Sequence, residues 1–280
     1  MRFKAALVQM SAGTEKDRNV DAAERHVREA AEGGARVVVL PEVFNYVGDA
    51  AHWPAQAESL DGPTLSRMAK LAAEHRVYLL AGSILERTAR GKRIHNTSVF
   101  FGPDGSRLGV YRKMHLFDVT LPDGVVFSEV EHTEPGRDVI TVSTDLGVFG
   151  QSICYDLRFP ELYRLMMLAR TDFVFVPSAF TAFTGQAHWQ VLLRARAIEN
   201  QTYVLAANQT GLAATGVAFH GHSMIVDPWG EVLVEAGEDQ GVVVAEIDAE
   251  RITQVRQRIA ALNHVRADLL GQLGKGHEDR

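Results

Sequence analysis

Short runs of apolar residues bounded by turn residues constrain this chain more than any other feature. FKAALVQM, ARVVVLPE, VYLLAGSI, TSVFFG and DFVFVPSAF are rich in branched and aromatic side chains and read as buried strands. Between several of them the period changes. DRNVDAAERHVREAAE (17–32), PTLSRMAKLAAEH (63–75), PELYRLMMLAR (160–170) and QAHWQVLLRARAIEN (186–200) place apolar residues three and four apart, which predicts helices. Pro63 and Pro160 suit a first helical turn, where a missing N–H costs nothing. From about residue 93 to 152 strands follow one another without helices, FGPDGSRLG serving as a turn. Strand runs return at QTYVLAANQ, GHSMIVDPWGEVLVEA and QGVVVAEID. This order predicts an α/β fold of two packed sheets covered by helices, a four-layer α-β-β-α sandwich. No period of repeat length recurs, so a solenoid or propeller is not supported.

At 280 residues, 46% hydrophobic and 23% charged, the chain can bury a sizeable core, and no Gly/Ser/Pro-rich linker or charge run divides it. One large domain is expected. A net charge of -6 without a basic cluster offers no electrostatic footprint for nucleic acid or an anionic membrane. The opening MRFKAALVQM is too short in apolar residues for a secretory or spanning segment, so a cytoplasmic location is expected. The single cysteine, Cys154, forms no internal disulfide and is either a buried filler or a reactive thiol.

Cys154 ends the run VFGQSI and precedes the helix begun at Pro160, which places it at a strand-to-helix junction. Such junctions expose a side chain where backbone N–H groups converge, a setting for an activated thiol and an oxyanion. A thiol nucleophile needs a base, and none of the eleven histidines is singled out by its spacing. Glu42 follows VVVLP and Lys113 closes LGVYRK. Singly, these read as a solvated loop glutamate and a surface lysine. As a set, a carboxylate, a lysine and a cysteine each end a strand, where ligand sites of α/β folds lie.

LPEVF around Glu42, YRKMHLFD around Lys113 and SICYDLRFPELYR around Cys154 resemble the three signatures of the nitrilase superfamily of carbon–nitrogen hydrolases. The resemblance continues in order through PSAF, TGQAHWQVLLRARAIENQTYV and GHSMIVDPWGEVL, and delimits a hydrolase domain at 1–268 with a solvated tail at 269–280. It implies the four-layer sandwich, a homodimer, no metal or organic cofactor, and a small-molecule amide as substrate. Carried over by position, Glu42 is the general base, Lys113 the oxyanion stabiliser and Cys154 the nucleophile. A further glutamate resembles Glu129 in VFSEV, with Glu131 and Glu134 close by. CYDLRFPEL with PSAF and the AHW segment resembles the branch of deaminated glutathione amidase and ω-amidase, and GHSMIVDPWG with RARAIENQ leans toward the former. Within that resemblance the Tyr155 backbone N–H assists the oxyanion, and Arg158 either binds a substrate carboxylate or pairs with Asp156 or Glu161. Tyr46, Phe180, Thr184 and His188 are expected in the pocket.

Other signals carry less. GHSMI lacks the final glycine of a nucleophile elbow, since Ile225 stands there. His220 and His222 suggest a metal, but no further ligand spacing completes a set. Trp189, Leu192, Leu193 and Ala197 form a helical stripe that reads as packing. Competing functions are nitrile or carbamoyl-amide hydrolysis by the same three residues, a papain-like thiol hydrolase with a histidine base, and a catalytically silent scaffold.

Overall fold

The computed structural model describes residues 1–88, 91, 93–120 and 126–270. A seven-stranded sheet runs in the order Gly241–Asp248, Arg2–Gln9, Ala35–Val39, Tyr78–Leu80, Ile94–Phe101, Ile84–Arg87, with Arg107–Arg112 also paired to Ile94–Phe101. A six-stranded sheet runs Val232–Glu235, Met224–Val226, Tyr203–Ala206, Phe173–Phe175, Gly147–Gln151, Thr141–Thr144. In each, the central strands are parallel and the outer ones antiparallel.

The apolar runs are continuous because both faces of each sheet are covered. Val37 and Val39 point into the layer between the sheets, whereas Val38 and Leu40 point outward to the helices Lys16–Glu32 and Pro63–His75. In the second sheet Phe173 and Phe175 face the shared layer, and Val174 and Val176 face the helices Pro160–Leu168 and Ala182–Asn200. The central layer is knit by rings: Phe149 lies 4.7 Å from Phe173 and 5.1 Å from Phe175, and Phe100 lies 5.0 Å from Phe175. Helix, sheet, sheet and helix therefore stack as the apolar periodicity predicts.

Several details depart from the sequence reading. The helix expected at 186–200 begins four residues earlier, at Ala182, because Gly185 is needed for contact rather than for a turn. A Cβ there would lie 2.3 Å from the His220 ring, so glycine lets the first helical turn approach the strand Ala218–His220. The helix expected at 160–170 ends at Leu168, and Arg170 takes a left-handed φ of 59°. Among the described residues of the stretch 93–152 there is one helical element, the single turn Glu129–Glu131. A helix at Glu250–Arg258 carries only two buried residues, Ile252 and Val255, too few to mark it in the sequence. The expected tail at 269–280 begins inside the short helix Ala267–Leu270, and residues 271–280 lie outside the described residues. Among the described residues no helix is long and apolar enough to cross a membrane.

Candidate active site

Three strand ends converge on one cleft. The strand Ala35–Val39 runs out at Leu40, and Pro41 leads to Glu42 over a tight crossing. Gly82 makes the crossing possible: it has φ +40°, and a Cβ on it would stand 1.9 Å from the Pro41 carbonyl oxygen. Ser83 Oγ accepts from Val43 N at 2.9 Å, and Gln209 Nε2 donates to the Glu42 carbonyl at 2.9 Å, so backbone on both sides holds the carboxylate.

Lys113 is the first residue beyond Arg107–Arg112, its N–H donating to the Asn96 carbonyl at 2.9 Å. Cys154 stands past Gly147–Gln151, at the head of a short helical turn, in a left-handed conformation with φ 45°. A non-glycine residue held there is strained, which turns its side chain off the strand and into the cleft. The turn is tied down from two sides. Asp156, wholly buried, accepts from Ile153 N at 2.9 Å and Tyr111 Oη at 2.7 Å with one oxygen, and from His115 N at 3.0 Å with the other. It thereby joins the thiol turn to the segment bearing Lys113. From the helix behind, Arg196 donates twice to the Leu157 carbonyl, at 3.1 and 2.8 Å.

The side chains form one network. Lys113 Nζ donates to Glu42 Oε1 at 3.0 Å and to Glu129 Oε2 at 2.8 Å. Ala179 N donates to Glu42 Oε2 at 2.8 Å, Phe117 N to Glu129 Oε2 at 2.7 Å, and Asn96 Nδ2 to Glu42 Oε1 at 2.8 Å. Exposure is 3% for Lys113, 4% for Glu42, 7% for Glu129 and 8% for Cys154, so water screens these charges little. Burial alone would discharge Lys113, but the charges of Glu129 and Glu42 outweigh it and hold the ammonium well above the usual lysine range. Burial and then the negative charge of Glu42 push the Cys154 thiol well above its usual range, Lys113 opposing them without prevailing. The resting thiol therefore keeps its proton at neutral pH.

Above these groups lies a cavity of about 400 Å³. Tyr46, Tyr155, Arg158, Phe180 and Thr184 line it as expected, together with Asp49, Trp53, Thr215, Val217 and Phe219. His188 does not. It stands one turn beyond Thr184 on the helix Ala182–Asn200, exposed, with Nδ1 3.1 Å from Arg158 Nη1, so it touches the arginine rather than the cavity. Arg158 makes no ion pair with Asp156 or Glu161 among the described residues. Its guanidinium lies 5.7 Å from the Tyr155 ring and 5.1 Å from the Phe180 ring, a half-buried cation on the wall of the cavity. Of the three neighbouring glutamates, Glu129 reaches Lys113, and Glu131 is exposed. Trp189, Leu193 and Ala197 are wholly buried against the second sheet. The rings of His220 and His222 stack at 4.5 Å, and no cluster of three metal-ligating side chains occurs among the described residues.

Three contributors escaped the sequence reading: Asn96, Asp156 and the Ala179 N–H. The visible signal for the first was a polar Asn-Thr-Ser interrupting the otherwise apolar strand IHNTSVFF.

A buried thiol beside a carboxylate that can take its proton, with a fixed cation in reach, can attack an acyl carbon and stabilise the oxyanion that forms. These are the parts of a hydrolase that works through a thioester, with a carboxylate in place of the usual histidine. The chain belongs to the carbon-nitrogen hydrolase family, whose model, described as Carbon-nitrogen hydrolase, matches residues 4–257, and it is an amidase of the nitrilase superfamily. It is 42% identical over 265 residues to a deaminated glutathione amidase of Synechocystis, covering 94% of this chain and 97% of that one. It is 39% identical over 267 residues to omega-amidase NIT2 of Homo sapiens, covering 95% and 96%. The crystal structure of the C. elegans NitFhit protein superposes with a TM-score of 0.89 at 37% identity, covering 96% of this chain and 66% of that longer one.

Proposed function

We propose that this chain hydrolyses deaminated glutathione, cleaving, through a thioester on Cys154, the amide that joins its oxoglutaryl group to cysteinylglycine. The observation that carries the reading is the buried contact of Lys113 with Glu42 and Glu129 beneath a cavity that holds Cys154 and Arg158, which has no carboxylate partner among the described residues. Glu42 takes the thiol proton as sulfur attacks the amide carbon, and Lys113 with the Tyr155 backbone N–H stabilises the oxyanion. Collapse breaks the C–N bond, Glu42 returns the proton to the leaving nitrogen, and cysteinylglycine departs, or ammonia where the substrate is a primary carboxamide. Glu42 then takes a proton from water as it attacks the thioester; the C–S bond breaks and the sulfur recovers its proton. Glu129 orients Lys113. Arg158 binds a substrate carboxylate through its planar fork, against the rings of Tyr155 and Phe180, with Tyr46 and Thr184 on the wall.

A cavity reaching from Tyr46 to Phe219 has room for a peptide-sized amide, which favours deaminated glutathione over the smaller α-ketoglutaramate. The similarity to an omega-amidase keeps α-ketoglutaramate as the second reading. Exposed Leu165, Leu168, Val191 and Ile198 on the outer helices support a homodimer. A lone cysteine suits the cytoplasm. Residues 1–268 would form the hydrolase domain and 269–280 its tail.

The test is release of cysteinylglycine from deaminated glutathione, and of ammonia from α-ketoglutaramate and glutamine, by wild type and Cys154→Ala under reducing conditions. A higher specificity constant for deaminated glutathione with a silent mutant supports the proposal. Preference for α-ketoglutaramate moves it to an omega-amidase activity, and no release from any of the three defeats it.

A further inference from the structure

Two carboxylates share one lysine beneath the cavity, which leaves this buried cluster one negative charge in excess. Glu42 and Glu129 must be held apart and in register if one is to accept a proton from Cys154 while the other only fixes Lys113. The side chain placed to do so is Asn96, in the middle of the buried strand Ile94–Phe101 and 4% exposed. Its Nδ2 donates to Glu42 Oε1 at 2.8 Å and, more weakly, to Glu129 Oε1 at 3.4 Å, while its carbonyl receives the Lys113 N–H. Turning the amide over would set its oxygen against two carboxylate oxygens, so the surrounding charge fixes which end faces them. The amide oxygen itself is sealed from the surface and makes no hydrogen bond among the described residues. A buried acceptor without a donor destabilises a fold, so the polar contribution of this side chain rests on Nδ2.

We propose that Asn96 is a positioning residue for the hydrolysis, its one amide nitrogen bridging Glu42 and Glu129 so that both face Lys113 and Glu42 keeps its remaining lone pairs for the thiol. The proposal rests on the reading of Glu42 as the base. Leucine has nearly the same shape but no donor, and aspartate would add a third carboxylate. The charged and titratable groups facing Glu42 are Lys113, Glu129 and Cys154, with Arg158, Asp49 and Tyr46 on the cavity wall. Only Lys113 and Arg158 are cations, and Lys113 is already shared with Glu129. Without the amide, the carboxylate pair holds a proton more readily, and the acidic limb of activity moves to higher pH.

The experiment compares wild type, Asn96→Leu and Asn96→Asp, each with its thermal midpoint, over pH 4 to 10. Asn96→Leu is expected to lower kcat/KM by about 10- to 100-fold with KM changed less than about threefold, and to move the acidic limb up by about one unit. Asn96→Asp should move it further. Cys154 is the only cysteine, so the slow iodoacetamide alkylation that proceeds below the thiol's own titration, with Glu42 accepting the proton, reads the same limb without any substrate. A folded variant whose acidic limb stays in place by both readouts overturns the proposal, as does a loss of activity that tracks the thermal midpoint alone. Should Asn96→Leu fail to fold, Asn96→Ser, too short to bridge both carboxylates, takes its place with the same expected shift. If no amide is hydrolysed yet the alkylation limb shifts with these variants, the amidase reading fails and the positioning role stands; amide hydrolysis with an unmoved limb gives the reverse.

Discussion

Replacing Lys113 by methionine removes one charge from the cluster while keeping an unbranched chain of similar length. In the wild type the ammonium lies 3.0 Å from Glu42 and 2.8 Å from Glu129. At an effective dielectric of about 20 each contact carries about 5 to 6 kcal/mol of Coulomb attraction, most of it offset by the cost of burying three ions. What the substitution exposes is that cost: two carboxylates stay buried beside each other without a cation. Breaking such a cluster destabilises by about 3 to 5 kcal/mol. The loss has a defined pH dependence. Lys113 is held above its ordinary value of 10.5, so its contribution is complete below that pH and fades only as pH rises past it. From the lysine's side the deficit is thus constant through neutrality. Loss of the oxyanion cation should also lower kcat on the order of 100- to 1,000-fold. Urea unfolding at pH 5 and 7.5, with ammonia release at pH 7.5, measures both. A variant within about 1 kcal/mol of wild type at pH 7.5, or one retaining more than about a tenth of kcat, refutes the reasoning.

The raised thiol makes Cys154 slow to alkylate at pH 7, with a rise well past the usual thiol range; in Glu42→Gln, which lacks the charge that helps raise it, this alkaline rise should move to lower pH while hydrolysis is lost. Arg158→Leu should raise KM for an amide bearing a carboxylate by about 10- to 100-fold and leave a neutral amide such as propionamide within about twofold, the loss of a charged hydrogen bond accounting for the difference. Equal effects on both amides would remove Arg158 from carboxylate binding. Gly82→Ala should cost at least about 2 kcal/mol in denaturant unfolding, because its methyl would collide with the Pro41 carbonyl oxygen at a left-handed φ, and activity should fall with it as Glu42 is displaced.

The layers were legible because strands covered on both faces must be continuously apolar, and VVVL shows its two-sided burial in every residue from Val37 to Leu40. Glu42, Lys113 and Cys154 could be found because each ends such a run, and strand ends are where an α/β fold opens to ligands. Asp156 and Ala179 could not be found in the same way. Their importance lies in pairing with Tyr111 and His115, and with Glu42, 137 positions away in the last case, and no local pattern encodes a partner so distant. His188, expected in the pocket from the family resemblance, instead touches Arg158 from the exposed side of its helix, because resemblance places a segment near the site without fixing how far the cavity extends along it. The early start at Ala182 was hidden by Gly185, which marks a turn by propensity but here marks a close packing of helix on strand.

The central claim is that hydrolysis passes through an acyl group on Cys154. Rapid-quench intact mass spectrometry of the enzyme mixed with deaminated glutathione tests it most directly. The account predicts a transient species heavier than the free chain by the substrate less cysteinylglycine, mapped to Cys154 and absent from Cys154→Ala. Cysteinylglycine release at an undiminished rate by Cys154→Ala, or an adduct mapped to any other residue, would contradict it.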